Sequence, residues 1–346
     1  MNTELQKILD TQPKYRLKQI EHAWFDVSLK SYEEITTLPK DLREKLKEIP
    51  WMSLQLEVLQ ESKEDSTKKA LLKLADGEYI ETVLMGREQE EDEELRYTIC
   101  LSSQVGCAMQ CAFCSTGKMG FKRNLTWQEI VDQVRYWQQY LSTISKEARV
   151  ANIVFMGQGE PLLNYDNVKK AIHILLENTD IGETHIVLST VGIIPGMTKI
   201  IEDTDFPPIR VALSLHSAVL ETRQKLIPSH QEDFFQFFID WGELYHTKFP
   251  SKPHFIGIEY IMIQGINDDE KHLKALIKLI SKIGTVRVNL IPYNSTCDDI
   301  FTGSRVNTLD YWQERLMDSG FICTIRKSQG QDIAAACGQL ALKTGK

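Results

Sequence analysis

Ser103-Gln-Val-Gly-Cys-Ala-Met-Gln-Cys-Ala-Phe-Cys-Ser-Thr-Gly117 carries Cys107, Cys111 and Cys114, separated by three residues and then by two. A zinc knot would want a fourth Cys or His at ligand spacing, and the histidines His22 and His173 are both far away. A [4Fe–4S] cube is normally held by four thiolates. Three clustered thiols therefore predict a cube with one iron open to a small molecule. A disulfide framework fits worse: the chain is long, its cysteines number seven, and Met1-Asn-Thr-Glu-Leu-Gln6 lacks the basic and apolar regions of a signal peptide. The expectation is a cytoplasmic protein with reduced thiols.

Downstream of this loop the pattern is regular. Strand-like runs at 97–101, 152–156, 185–189, 209–215, 255–263, 286–291 and 321–325 are mostly followed by helical segments. Thr126-Trp-Gln-Glu129 reads as a capping box and Asn164-Tyr-Asp-Asn167 as another helix start. Such alternation means parallel strands joined by crossovers, and about six units predict an α/β fold built as a partial (β/α)6 barrel. Ligands of such folds collect at the C-terminal strand ends. The cysteine loop, Gly157-Gln-Gly-Glu-Pro161, Ser189-Thr190, Ser214-Leu-His216 and Pro292-Tyr-Asn294 all fall there.

Upstream, apolar spacing predicts a helical accessory domain over 1–60, with Leu17, Ile20 and Trp24 on one stripe and a second helix over 39–49. Residues 61–94 read as a hairpin turning at Asp76-Gly77, followed by an acidic linker from Glu88 to Glu94. Residues 95–346 form the core and a C-terminal segment bearing Cys337. No apolar run approaches the roughly 18 to 20 residues of a membrane-spanning helix. A net charge of −8 argues against a surface that grips nucleic acid everywhere. Lys118, Lys122 and Arg123 beside the cysteine loop, and Arg326, Lys327, Lys343 and Lys346 near the C-terminus, are local candidates for an RNA seat or simply solubilising lysines and arginines.

Each residue also has a plain reading. Gly157 and Gly159 suit a tight turn as well as close approach to a ligand, with Glu160 placed to hold an ammonium group. Ser189, Ser214 and Asn294 suit helix capping as well as ligand contacts. His216 is either a ligand contact or a buried, hydrogen-bonded histidine. Cys100 reads as a small core residue. Cys337, in Asp332-Ile-Ala-Ala-Ala-Cys-Gly-Gln-Leu340, is either an active-site thiol or part of an alanine-packed terminal helix. Cys297 and Cys323 look structural.

Taken together, Ser102-Ser-Gln-Val-Gly-Cys107, Phe113-Cys-Ser-Thr116, Gly159-Glu-Pro-Leu-Leu-Asn164, Ser214-Leu-His216 and Ala336-Cys-Gly-Gln-Leu340 resemble the RlmN/Cfr family of radical S-adenosylmethionine (SAM) RNA methyltransferases, from about residue 13 to residue 340. The resemblance implies that Cys107, Cys111 and Cys114 hold a [4Fe–4S] cluster. Gly159, Glu160, Ser189, Ser214, Leu215, His216 and Asn294 match the family's SAM contacts, with two SAM used per turnover. Cys337 matches the cysteine that carries the methyl group, Cys100 the cysteine that releases product through a disulfide, and Glu81 the family's proton acceptor.

The implied reaction is radical methylation of adenosine carbon 2, because that electron-poor carbon offers no lone pair for polar transfer. Cfr-like methylation of carbon 8 is the alternative. Gly159-Glu-Pro and the long spacing from Arg326 to Cys337 favour the RlmN branch, whereas Ser189-Thr-Val-Gly192 is closer to Cfr. Gln158, Gln329 and Gln331 depart from the residues common in the family. The implied partners are 23S rRNA, tRNA and an external reductase or flavodoxin-like electron donor. The helical N-terminal part resembles the family's RNA-binding domain, and nothing demands more than a monomer.

Overall fold

The computed structural model describes residues 3–86, 96–295 and 300–342. It opens with α1 (Thr3–Asp10), α2 (Lys14–Trp24) and α3 (Lys40–Leu46). In α2 the expected stripe packs inward, with Ile20 and Trp24 buried and Leu17 against the core. The helical reading fails before residue 60. β1 (Leu54–Glu61) pairs antiparallel with β2 (Lys68–Leu74), where Leu54, Leu56 and Val58 alternate with Gln55 and Glu57. A period of two is a strand signal, and here it outweighs the helical spacing of the preceding residues.

β2 pairs antiparallel with β3 (Tyr79–Gly86) across the expected Asp76-Gly77 turn, where Gly77 takes φ +87°. β3 pairs antiparallel with β4 (Arg96–Cys100). The acidic run Glu88–Glu94, Cys297, Lys343 and Lys346 lie outside the described residues.

From β4 onward the chain alternates. A small hairpin of β5 (Gln104–Gly106) and β6 (Phe121–Asn124) brackets the cysteine loop and the one-turn α4 (Ser115–Lys118). There follow α5 (Trp127–Ile144), β7 (Arg149–Phe155), α6 (Tyr165–Asn178), β8 (Ile186–Thr190), α7 (Ile194–Glu202), β9 (Arg210–Ser214), α8 (Leu220–Leu226), α9 (Phe234–Lys248), β10 (Ile256–Met262), α10 (Glu270–Ile280), β11 (Val286–Pro292), α11 (Val306–Asp318) and β12 (Ile322–Ile325).

One ten-stranded sheet runs β1-β2-β3-β4-β7-β8-β9-β10-β11-β12, and every neighbour from β4 onward is parallel. β1 and β12 are its edges, so the parallel part is an open barrel segment extended by three antiparallel strands.

Thr126 opens α5 as a full capping box with Glu129. Asn164 precedes α6 without capping it; its Nδ2 instead donates to the Ser103 and Leu125 carbonyls, tying that helix start to the cysteine loop. The N-terminal helices share one apolar cluster with the sheet, including Leu5, Leu42, Ile130 and Trp137. Inside that cluster Arg135 pairs with Asp132 and donates to the Trp24 and Trp51 carbonyls.

Candidate active site

The cysteine loop leaves β5 through Gly106, whose φ of +73° only glycine adopts readily. Cys107 N–H then donates to the Gly120 carbonyl at 2.8 Å, and Cys114 N–H to the Cys111 carbonyl at 3.1 Å. The loop packs with Met109, Phe113, Ile261 and Tyr293 in a small apolar cluster. Burial pushes the Cys107 thiol up to about 12 and the Cys111 thiol higher still. Among the described residues no three His, Cys, Asp or Glu side chains converge as ligands of a single ion do. A cube of four irons takes its thiolates at separate corners and not on one ion.

A cavity of about 850 Å³ lies along the concave face of the sheet, and all three cysteines line it. Gly159, Glu160, Ser189, Ser214, His216 and Asn294 line it too, each carried there by the end of a parallel strand. Leu215 does not; its side chain is fully buried in the main core.

Gly159 stands at φ +102°, where a Cβ would come within 2.6 Å of Gln104 Cβ. Glu160 Oε1 accepts from Leu162 N–H at 3.0 Å and Oε2 from Val191 N–H at 2.9 Å. Its burial raises the carboxyl to about 7 despite these donors. Ser189 and Ser214 hydroxyls meet at 3.1 Å. His216 adopts φ +56°, and its Nδ1 accepts from Ile261 N–H at 3.0 Å, which puts the ring proton on Nε2. Burial and then the Arg223 charge hold His216 down at about 3, so it is a neutral donor at physiological pH.

Both remaining cysteines line the same cavity. Cys100 ends β4 beneath Ala335 and Leu340 of the C-terminal segment. Burial raises its thiol, and the Cys337 charge raises it further. Cys337 is open to the cavity, yet the surrounding protein desolvates its thiol and pushes it up, with Glu259 adding to the effect and Arg326 opposing it. Cys337 is therefore on an irregular cavity-facing loop, not in an alanine-packed helix. Asn294 Nδ2 donates to the Cys337 carbonyl at 3.3 Å and its Oδ1 accepts from Gln331, so this side chain is committed to the thiol-bearing segment.

Glu81 takes a different place. Its carboxylate does not line the cavity; it pairs with Lys69 and accepts from Leu342 N–H at 3.0 Å.

Sequence reasoning passed over Glu259 and Arg223. Glu259 is buried against the cavity, with Asn289 Nδ2 donating to its Oε1 at 2.7 Å. Arg223 donates to the Ser214 and Val191 carbonyls, tying the ends of two neighbouring strands together. Neither sits in a local motif: strand register brings Glu259 to the cavity, and α8 carries Arg223 behind it. Two of the basic candidates are committed elsewhere: Lys122 pairs with Glu78, and Arg123 with Asp76 and Glu129.

A Radical SAM superfamily model matches residues 101–277. A curated relative from Chlorobium phaeobacteroides (strain DSM 266 / SMG 266 / 2430), named "Probable dual-specificity RNA methyltransferase RlmN", is 39% identical over 344 residues, spanning 96% of this chain and 90% of the relative. The chain belongs to the RlmN family of radical SAM proteins. A solved structure, that of a radical SAM methyltransferase from Sphaerobacter thermophilus, superposes with a TM-score of 0.84 at 32% identity, covering 97% of this chain and 96% of that one.

The radical SAM family uses a [4Fe–4S] cluster and SAM, and this site fits both. Three thiols line one cavity. Glu160 is a buried carboxylate that no basic side chain pairs with among the described residues, as the ammonium end of a methionine moiety requires. No described helix is long and apolar enough to cross a membrane.

Proposed function

We propose that the chain methylates carbon 2 of an adenosine in 23S rRNA and in tRNA, with the methyl group carried on Cys337. It is a radical SAM methyltransferase by family, and its curated relative bears a dual-specificity RNA methyltransferase name. RlmN membership favours carbon 2 over the Cfr-like carbon 8. One observation carries the mechanism: Cys337 and Cys100 share the cavity with the cluster loop, so methyl carrier, releasing thiol and radical source face one space.

Cys107, Cys111 and Cys114 would hold the cluster, which would supply one-electron reduction of SAM. The other roles belong to this chain's side chains. Glu160 holds the ammonium, with Gly159 bringing bare backbone close. Ser189, Ser214 and the Nε2 proton of His216 orient the nucleoside part. Asn294 steadies the Cys337 backbone. The methyl group on Cys337 gives a hydrogen to the radical drawn from SAM and its carbon bonds to adenine. The adduct loses the ring hydrogen as a proton and an electron. Cys100 then attacks the Cys337 sulfur, breaking its bond to that carbon, which takes up a proton as methylated RNA leaves and a disulfide remains. An external flavodoxin-like or reductase donor restores both thiols. Arg326 and Lys327 line the cavity, where an RNA backbone would enter with its target base unstacked. The enzyme acts as a cytoplasmic monomer.

Mass spectrometry of RNA from cells with and without the gene tests this reading. The expected result is 2-methyladenosine that disappears with the gene and with Cys337→Ala. Formation of 8-methyladenosine, or methylation that survives Cys337→Ala, overturns it.

A further inference from the structure

The segment bearing Cys337 is held at both ends by one buried ion pair. Lys69 on β2 and Glu81 on β3 lie on one face of the sheet, since Leu71 pairs with Glu81 and Lys69 with Val83. Their side chains are 3% and 1% exposed, with Nζ 3.0 Å from Oε1. Lys69 Nζ also donates to the Ala334 carbonyl at 3.1 Å, and Glu81 Oε2 accepts from Leu342 N–H at 3.0 Å. Cys337 lies between these two attachment points.

Both attachment residues are strained. Ala334 stands at φ +51° and Leu342 at +54°, left-handed conformations that cost a non-glycine residue free energy and persist only where the surroundings over-determine them. Each strained residue is bonded by one member of the pair. Between them, Ser115 N–H donates to the Gly338 carbonyl and Thr116 Oγ1 to the Leu340 carbonyl, joining the loop to the turn after Cys114. On the same sheet face Val83 pairs with Cys100, and Val83 and Cys100 pack against Ala335 and Leu340.

We infer that Lys69 and Glu81 are positioning residues, a two-ended clamp that sets the Cys337 loop over Cys100 and the cluster loop. An ion pair serves here where an apolar pair would not, because one end of the loop presents a carbonyl and the other an N–H. The cation satisfies the first and the carboxylate the second, while each neutralises the other away from water. Lys69 thereby acts on the reaction through Cys337 without touching substrate. The consequence for methyl transfer rests on the function proposed above; the clamp itself does not.

The test uses the cluster-loaded, full-length protein and the variants Lys69→Met, Lys69→Arg and Lys69→Met/Glu81→Leu. The double variant removes both charges and leaves no orphaned ion, so it keeps the experiment informative if the single Met variant folds poorly. Hydrogen exchange should show the amides at 335 and 342 opening about tenfold faster or more in the double variant, while the Cys107–Cys114 loop keeps its protection. Iron and sulfide content and the SAM dissociation constant should stay at wild-type values. Methylation of Cys337 by SAM without reductant, read as a 14 Da gain on its peptide, should slow by about tenfold or more. Lys69→Arg should recover part of both. Wild-type protection at 335 and 342 in a folded double variant overturns the clamp. Normal Cys337 methylation despite lost protection overturns its positioning role. Absence of Cys337 methylation in the wild type strikes instead at the proposed function.

Discussion

Gln158 is fully buried between Gly157 and Gly159, and neither its Oε1 nor its Nε2 finds a partner among the described residues. Its backbone is well used, with the carbonyl accepting from Ser103 and Gln104, but a buried orphan amide costs about 1–3 kcal/mol. Gln158→Met keeps the side-chain length and removes the polar atoms. It should raise stability by about 1–2 kcal/mol, read as a higher urea midpoint at unchanged m-value.

Glu160 makes the stability depend on pH. Its carboxyl moves from an ordinary 4.5 to about 7 on burial. A carboxyl raised in the folded state binds its proton more tightly there. Its contribution is therefore fully present below pH 4.5 and is lost as pH rises through about 7, a swing on the order of 3 kcal/mol. Measured by urea unfolding without SAM, the stability of wild type relative to Glu160→Gln should fall across that window. A flat difference would mean the carboxyl is not desolvated.

At the scale of elements, the β5–β6 hairpin sets the cysteine loop. A Cβ on Gly106 would lie 1.9 Å from the Gly120 carbonyl oxygen, the same oxygen that receives the Cys107 N–H. Gly106→Ala should cost about 2 kcal/mol or more and lower the iron bound per chain on reconstitution, assayed by iron and sulfide content. The parallel strands were legible from β-branched runs, within a residue or two of the observed bounds for most, and the starts of α5 and α6 from Thr126 and Asn164. β1 was not, because its short alternating run follows directly on amphipathic helices. The β5–β6 hairpin was missed for another reason: its strands are three and four residues long and close only around the loop.

Across the whole molecule, the N-terminal helices are joined to the barrel through a buried polar knot on α5. Asp132 Oδ2 accepts from Ser53 N–H at 2.7 Å and from its hydroxyl at 2.6 Å, while Asp132 also pairs with Arg135. Arg135 stacks over the Trp24 and Trp51 rings, and both members of the pair are fully buried. Asp132→Ala would leave that guanidinium charged and uncompensated, a loss of about 3–5 kcal/mol in chemical denaturation. A loss under 1 kcal/mol would show that the knot is not what fastens the helices.

Sequence alone determined the chemistry that depends on local spacing. The uneven triplet of Cys107, Cys111 and Cys114, the glycines before Glu160 and the alternation of strands and helices are all written within a few residues, so they could be read directly. Tertiary structure decided what depends on distant segments. Cys100 and Cys337 face one cavity because β4 and the C-terminal segment both line it. Asn294 serves the Cys337 segment because a loop after β11 passes beside it. Glu81 looks like any strand glutamate until β2 supplies Lys69 and the chain terminus returns to meet it. Such contacts, with the bond from Lys69 to Ala334, join residues as much as 265 positions apart. No periodicity records them, since they follow from how the whole sheet curves and where its last loop comes to rest.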